Sequence, residues 1–92
     1  MAQVFGISKT DEELGLDNPW HVILYNDEVH SFDEVVFQVQ KAAGVSLERA
    51  SEITLQAHLS GRSVVFIGDR DRSKKIASIL ESIALRTSVE RT

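Results

Sequence analysis

Asn26 and Asp27 stand side by side directly after the apolar run Val22-Ile23-Leu24-Tyr25, with Glu28 and His30 close behind them. An amide oxygen and an ionised carboxylate at a strand end both present lone pairs, so together they can hold a small cationic head. His58, late in a helical pattern further on, would add a neutral imidazole nitrogen as a third acceptor if its helix lies beside that loop. Three acceptors suit an ammonium group. The same residues admit a plainer reading, in which Asn26 and Asp27 make Asx-type turns and His58 is a half-buried helical residue with its own bonds.

Other chemistries find less support. The three histidines, His21, His30 and His58, with Asp27, Glu28 and Asp33 nearby, match no zinc spacing, and the chain has no cysteine. No protein-built metal site and no cofactor are expected. Ser and His are present, but no Gly-x-Ser-x-Gly elbow offers a hydroxyl to a base, so an enzyme is not expected. Gly61 and Gly68 flank one strand rather than forming a phosphate-cradling loop before a helix. With 10 Lys+Arg against 14 Asp+Glu, a formal charge of −4 disfavours nucleic acid as partner. The basic patch Arg70, Arg72, Lys74, Lys75 lacks interleaved aromatics and reads as a solvated helix face. The longest apolar runs fall far short of the roughly 20 residues that cross a bilayer, and the start of the chain lacks a secretory pattern. A cytoplasmic protein without membrane contact is expected.

These residues must be positioned by few elements, because 92 residues allow one core and little else. Residues 1–18 show no sustained period and predict a flexible N-terminal arm, closed by the turn Asp17-Asn18-Pro19. Residues 19–92 then form one domain. From Trp20 the chain alternates as a short strand, with Trp20, Val22 and Leu24 on one face. Ser31-Phe32-Asp33-Glu34 is a capping box, so a helix begins there. Its inward stripe is Phe32, Val35, Val36, Val39, Ala42 and Ala43, and Gly44 ends it. Ser46 caps a second helix with apolar positions Leu47, Ala50, Ile53, Thr54 and Ala57, closed by Gly61. Arg62 to Ile67 reads as a covered strand. Asp69 or Asp71 caps a third helix carrying Ile76, Ile79, Leu80 and Ile83, and Leu85, Thr87 and Val89 alternate as a last strand. The fold expected is a small α+β domain of order β-α-α-β-α-β, three helices on a short antiparallel three-stranded sheet.

In this order and with these gaps, the segments Val22-Ile23-Leu24-Tyr25-Asn26-Asp27-Glu28, Gln40-Lys41, Leu47-Glu48-Arg49-Ala50 and Ala57-His58-Leu59-Ser60-Gly61-Arg62 resemble the ClpS adaptor family. The likeness spans about residues 20 to 90. Members of that family recognise proteins by a bulky hydrophobic N-terminal residue, Leu, Phe, Tyr or Trp, and deliver them to the N-terminal domain of a Clp-type AAA+ unfoldase. By position, the resemblance implies that Asn26, Asp27 and His58 bind the free α-amino group, with Glu28 and His30 near the substrate backbone. It implies a pocket for the first side chain from Phe32, Val35, Thr54, Ala57 and Leu85. Family pockets are commonly aliphatic and Met-rich, whereas this chain has bulky Phe32, polar Thr54 and small Ala57, and Glu28 stands where a second Asp is usual. After the second strand, Asp71, Lys74 and Lys75 fall where the family contacts the unfoldase. The arm corresponds to the family's mobile extension, which implies a part in delivery.

Two readings of other classes stand beside the adaptor. One is a divergent docking domain of the same β-α-α-β-α shape that does not bind amino termini, a shape shared by the C-terminal domain of the ribosomal stalk protein. The other is a small hydrolase using His58 with Asp27. Under the adaptor reading His58 must keep an accepting nitrogen, so binding weakens once that imidazole is protonated.

Overall fold

The computed structural model describes residues 19–91, and the arm read at residues 1–18 lies outside them. The elements are β1 (Trp20–Tyr25), α1 (Phe32–Ala43), α2 (Leu47–Ser60), β2 (Arg62–Gly68), α3 (Arg70–Glu81) and β3 (Thr87–Arg91). This is an α+β fold in β-α-α-β-α-β order, with three helices on a three-stranded antiparallel sheet.

Each helix starts on a side-chain oxygen that satisfies an otherwise orphaned backbone N–H. The Ser31 hydroxyl accepts from the Glu34 N–H at 3.1 Å while the Glu34 carboxylate accepts from the Ser31 N–H at 2.8 Å, a complete capping box. Ser46 accepts from the Arg49 N–H at 3.0 Å, and Asp69, rather than Asp71, accepts from the Arg72 N–H at 3.0 Å. Gly44 and Gly61 end α1 and α2 in the left-handed region, at φ 68° and 91°, where a Cβ is costly. α3 closes differently. Ser82 continues the helical turn, and Ala84 takes φ 66° without being glycine, its N–H donating to the Glu81 carbonyl at 2.8 Å.

The sheet runs β2-β1-β3, so the strand that leads into Asn26 is the central one. Val22 pairs with Phe66 and Ile23 with Val64, which leaves Val65 as the extra residue of a bulge in β2. Val22 and Leu24 meet Val35, Val36 and Val39 of α1, Ala50 and Ile53 of α2, and Ile76 and Leu80 of α3 in one core. Val39, Ala50 and Leu80 are wholly buried. Removing a buried Leu side chain such as that of Leu80 would cost about 2–5 kcal/mol, which shows how much each such contact contributes in so small a core.

Two residues expected in the inward stripes are not there. Phe32 is 44% and Leu47 54% exposed. Each is the first residue of its helix and projects past the edge of the core, where the apolar period continues but no facing layer does. Ile83, read as part of the third helix, lies in the turn after it but still packs against the core. The buried polar Gln38 on α1 is satisfied across the fold, donating to the Ile79 carbonyl at 2.7 Å and to the Ser82 hydroxyl at 3.2 Å. Among the described residues no helix is long and apolar enough to cross a membrane. No group of three or more His, Asp or Glu among them is arranged to hold a metal ion.

Candidate functional site

The corner after β1 is tied to the end of α2 by one backbone bond. Gly61 turns the chain, its N–H donating to Ala57 O at 2.9 Å, and its own carbonyl accepts the Asn26 N–H at 3.0 Å. On the other side the Tyr25 N–H donates to Arg86 O at 3.0 Å. His58 sits in the last turn of α2, so the Gly61–Asn26 bond carries it to the Asn26-Asp27 corner. That placement depends on a residue able to hold φ 91°.

A hollow of about 340 Å³ opens at this corner. That is near the lower end of the roughly 300–1,000 Å³ of small-ligand sites. Asn26, Asp27, Glu28, His30 and His58 form its polar side. Phe32 and Val35 of α1 and Thr54 and Ala57 of α2 form its apolar side. Leu24 and Tyr25 line it as well; they directly precede Asn26 on β1, and only their nearness to it in sequence would have pointed to them. Leu85 does not line it. That side chain is 2% exposed and belongs to the main core, held where its N–H donates to Leu80 O at 3.3 Å.

Within the polar side, Asp27 is a fixed group. Its carboxylate accepts from the Val29 N–H at 3.2 Å, from the His30 N–H at 2.9 Å and from His30 Nδ1. Burial alone would raise its pKa, but the hydrogen bonds from the His30 backbone, the His30 ring and the Val29 backbone outweigh it and hold the carboxyl below its ordinary 3.8. The hydrogen bond to Asp27 in turn lifts His30 above its ordinary 6.5; partial desolvation opposes this, and the charges of Asp27 and Glu34 and the Ile83 backbone add to it. Asn26 Nδ2 donates to the Glu28 carboxylate at 3.0 Å, which leaves its amide oxygen as an open acceptor among the described residues. The His58 ring is exposed and makes no side-chain hydrogen bond among them.

On the apolar side, Thr54 is 5% exposed and its hydroxyl donates to Ala50 O of its own helix at 2.8 Å. The hydroxyl is thereby spent on the backbone, and Thr54 brings the hollow no free donor. Val35 and Ala57 are 6% and 3% exposed, a rigid floor, while Phe32 is an open rim. The hollow thus sets fixed electron pairs and acid charge against an apolar floor. Such a site can take a group that is cationic at one end and greasy at the other.

Asp71, Lys74 and Lys75 lie elsewhere, exposed on α3. Asp71 stands 4.0 Å from the Arg70 guanidinium, and Lys75 borders a shallow groove with Lys41 and Arg72.

Residues 16–89 match the family model described as ATP-dependent Clp protease adaptor protein ClpS. The ATP-dependent Clp protease adapter protein ClpS of Rhodococcus opacus is 32% identical over 75 residues, covering 82% of this chain and 67% of the relative. The protein of the same name from Nocardia farcinica is 32% identical over 75 residues, covering 82% and 71%. Among solved structures, Agrobacterium tumefaciens ClpS2 bound to L-phenylalaninamide superposes with a TM-score of 0.76 at 20% identity, covering 82% of this chain and 98% of that one. Fold and sequence together place the chain among the adaptor proteins of ATP-dependent Clp proteases. It belongs to the ClpS family.

Proposed function

We propose that this adaptor binds proteins through a free α-amino group and a bulky hydrophobic first residue, Leu, Phe, Tyr or Trp, and passes them to the N-terminal domain of a Clp-type AAA+ unfoldase. The observation that carries this reading is the hollow itself, where Asn26, Asp27 and His58 face the same space as Val35, Thr54 and Ala57. The Agrobacterium ClpS2 structure supports it, since L-phenylalaninamide is a free amine bearing a benzyl side chain.

The ammonium group donates to the Asn26 amide oxygen, to an Asp27 oxygen and to His58. An internal Leu or Phe lacks that cation, so the acceptors distinguish a chain start from a chain interior. Asp27 is already locked by three donors, which lowers the ordering cost of capture. The floor rewards a large apolar side chain by about 1.5–3 kcal/mol on full burial, enough to separate Phe or Leu from Ala or Ser. Both features are needed. The role requires no bond making, and the protein acts in the cytoplasm as a carrier, with Asp71, Lys74 and Lys75 of α3 on the surface that meets the unfoldase.

Two fluorescent peptides differing only in a leading Phe or a leading Asp test the reading. The Phe peptide is expected to bind at least tenfold more tightly, and adding the full chain to a Clp unfoldase and peptidase is expected to speed breakdown of a Phe-first reporter. Equal binding would instead point to a docking domain that ignores amino termini.

A further inference from the structure

The two oxygens of Asp27 are occupied unequally. Oδ2 accepts twice from His30, from its backbone N–H at 2.9 Å and from ring Nδ1, whereas Oδ1 accepts once, from the Val29 N–H at 3.2 Å. An ionised carboxylate offers about four lone-pair sites, two on each oxygen. His30 therefore fills Oδ2, and one site on Oδ1 stays open to a further donor.

The His30 ring also ties two parts of the fold together. Nδ1 donates to Asp27 in the loop after β1, and the Ile83 backbone in the turn after α3 hydrogen-bonds the ring and favours its cation. Glu34 of α1 adds negative charge, while Glu28 of the loop and His58 of α2 line the same hollow. At 17% exposure the His30 side chain is set in place rather than swinging in water. A substrate ammonium seated on Oδ1 brings a second cation to a carboxylate that an imidazolium already neutralises. Like charges so close disfavour each other.

We propose that His30 is a positioning residue for amine capture: it saturates Oδ2, directs the ammonium to Oδ1 of Asp27, and gives up one ring proton to solvent as the ammonium arrives. This rests on the hollow being the seat of a free chain start. Nδ1 keeps its hydrogen on Oδ2 and Nε2 loses the other to water, so one cation enters beside Asp27 and one proton leaves. By linkage, affinity rises as pH climbs through the His30 transition and levels off above it.

The test titrates a labelled Phe-first peptide onto the full chain and onto its His30→Asn and His30→Ala variants from pH 5.5 to 7.5. Asn keeps a donor without a titrating proton, and Ala keeps neither. The ratio of wild-type to His30→Asn affinity is expected to rise about 3–10-fold across that interval; any titration of His58 or of the peptide amine is common to both proteins and cancels. Calorimetry in two buffers of different ionisation heat is expected to show more protons released by the wild type than by His30→Asn. At pH 7.5 His30→Ala is expected to bind about fivefold more weakly than the wild type, with His30→Asn recovering most of the loss. A ratio that ignores pH, equal proton release, or His30→Ala binding as tightly as the wild type would each overturn the proposal, while tight Phe-first binding left the first-residue reading intact. Failure of the wild type to bind the peptide would overturn both.

Discussion

His30 Nδ1 donates to the Asp27 carboxylate that its own backbone N–H already holds at 2.9 Å. One residue thereby fixes the charged acceptor of the hollow twice, and side-chain exposures of 17% and 14% keep the pair largely out of water. The pair is a single interaction seen from two partners, so its protonation is coupled.

That coupling gives stability a pH signature. His30 is raised above 6.5 in the fold, so its contribution is fully present below about that pH and fades as pH climbs through the raised value. Asp27 is lowered below 3.8, so its contribution is present above that value and is lost as pH falls through the lowered one. The stabilisation is therefore greatest between the two, in mildly acidic solution. Thermal melts of the wild type and of His30→Asn from pH 4.5 to 8.5 are expected to differ most near pH 5–6 and to draw closer as pH rises through the raised His30 value. A constant difference would show that the His30 charge plays no part.

Gly61 couples backbone conformation to the site. Nothing lies within 4 Å of a Cβ built there, so Gly61→Ala meets no clash and its cost is the left-handed backbone alone, about 1–2 kcal/mol. Chemical denaturation is expected to show that loss. Any relaxation of φ also shifts the carbonyl that accepts the Asn26 N–H, so peptide affinity is expected to fall alongside stability.

Ala84 is the opposite case. It holds φ 66° with a Cβ and is exposed, so Ala84→Gly relieves strain and removes no buried contact. Stability is expected to rise by about 0.5–1 kcal/mol, since relief of about 1–2 kcal/mol exceeds the added entropy of the unfolded chain. An unchanged or lower melting temperature would contradict this.

Thr54→Val tests the apolar side of the hollow. Because the Thr54 hydroxyl donates to Ala50 O, it offers nothing to a bound side chain. Affinity for Phe-first and Leu-first peptides is expected to change by less than about threefold, with a stability change of about 1 kcal/mol or less from the lost bond. A tenfold loss of affinity would mean that the hydroxyl faces the ligand.

The fold was largely legible because its signals are local. Ser31 with Glu34, Ser46 with Arg49, and the glycines at 44 and 61 mark helix ends through bonds spanning three or four residues. What escaped is set by distant contacts or by where the core stops. Periodicity placed Phe32 and Leu47 inward because it carries no information about the edge of the sheet. Gln38 bonds to residues of α3 that no local pattern connects to it, and Ala84 carries no mark of a left-handed turn. At the site, the acceptor residues stood out by type and order. That Leu85 packs in the core and Tyr25 lines the hollow depends on the three-dimensional path of β1 and of the turn after α3.

Removing the cation from the ligand tests the proposed recognition most directly. A Phe-first peptide and its Nα-acetylated twin, titrated onto the same full-length chain at pH 7.5, share every apolar contact and differ at the amino group alone. Charge-assisted hydrogen bonds contribute about 1.5–3 kcal/mol each, and acetylation also turns acceptors against an acceptor, so affinity is expected to drop at least 100-fold. Equal binding of the two peptides would contradict the account, because Asn26, Asp27 and His58 would then not read the start of a chain.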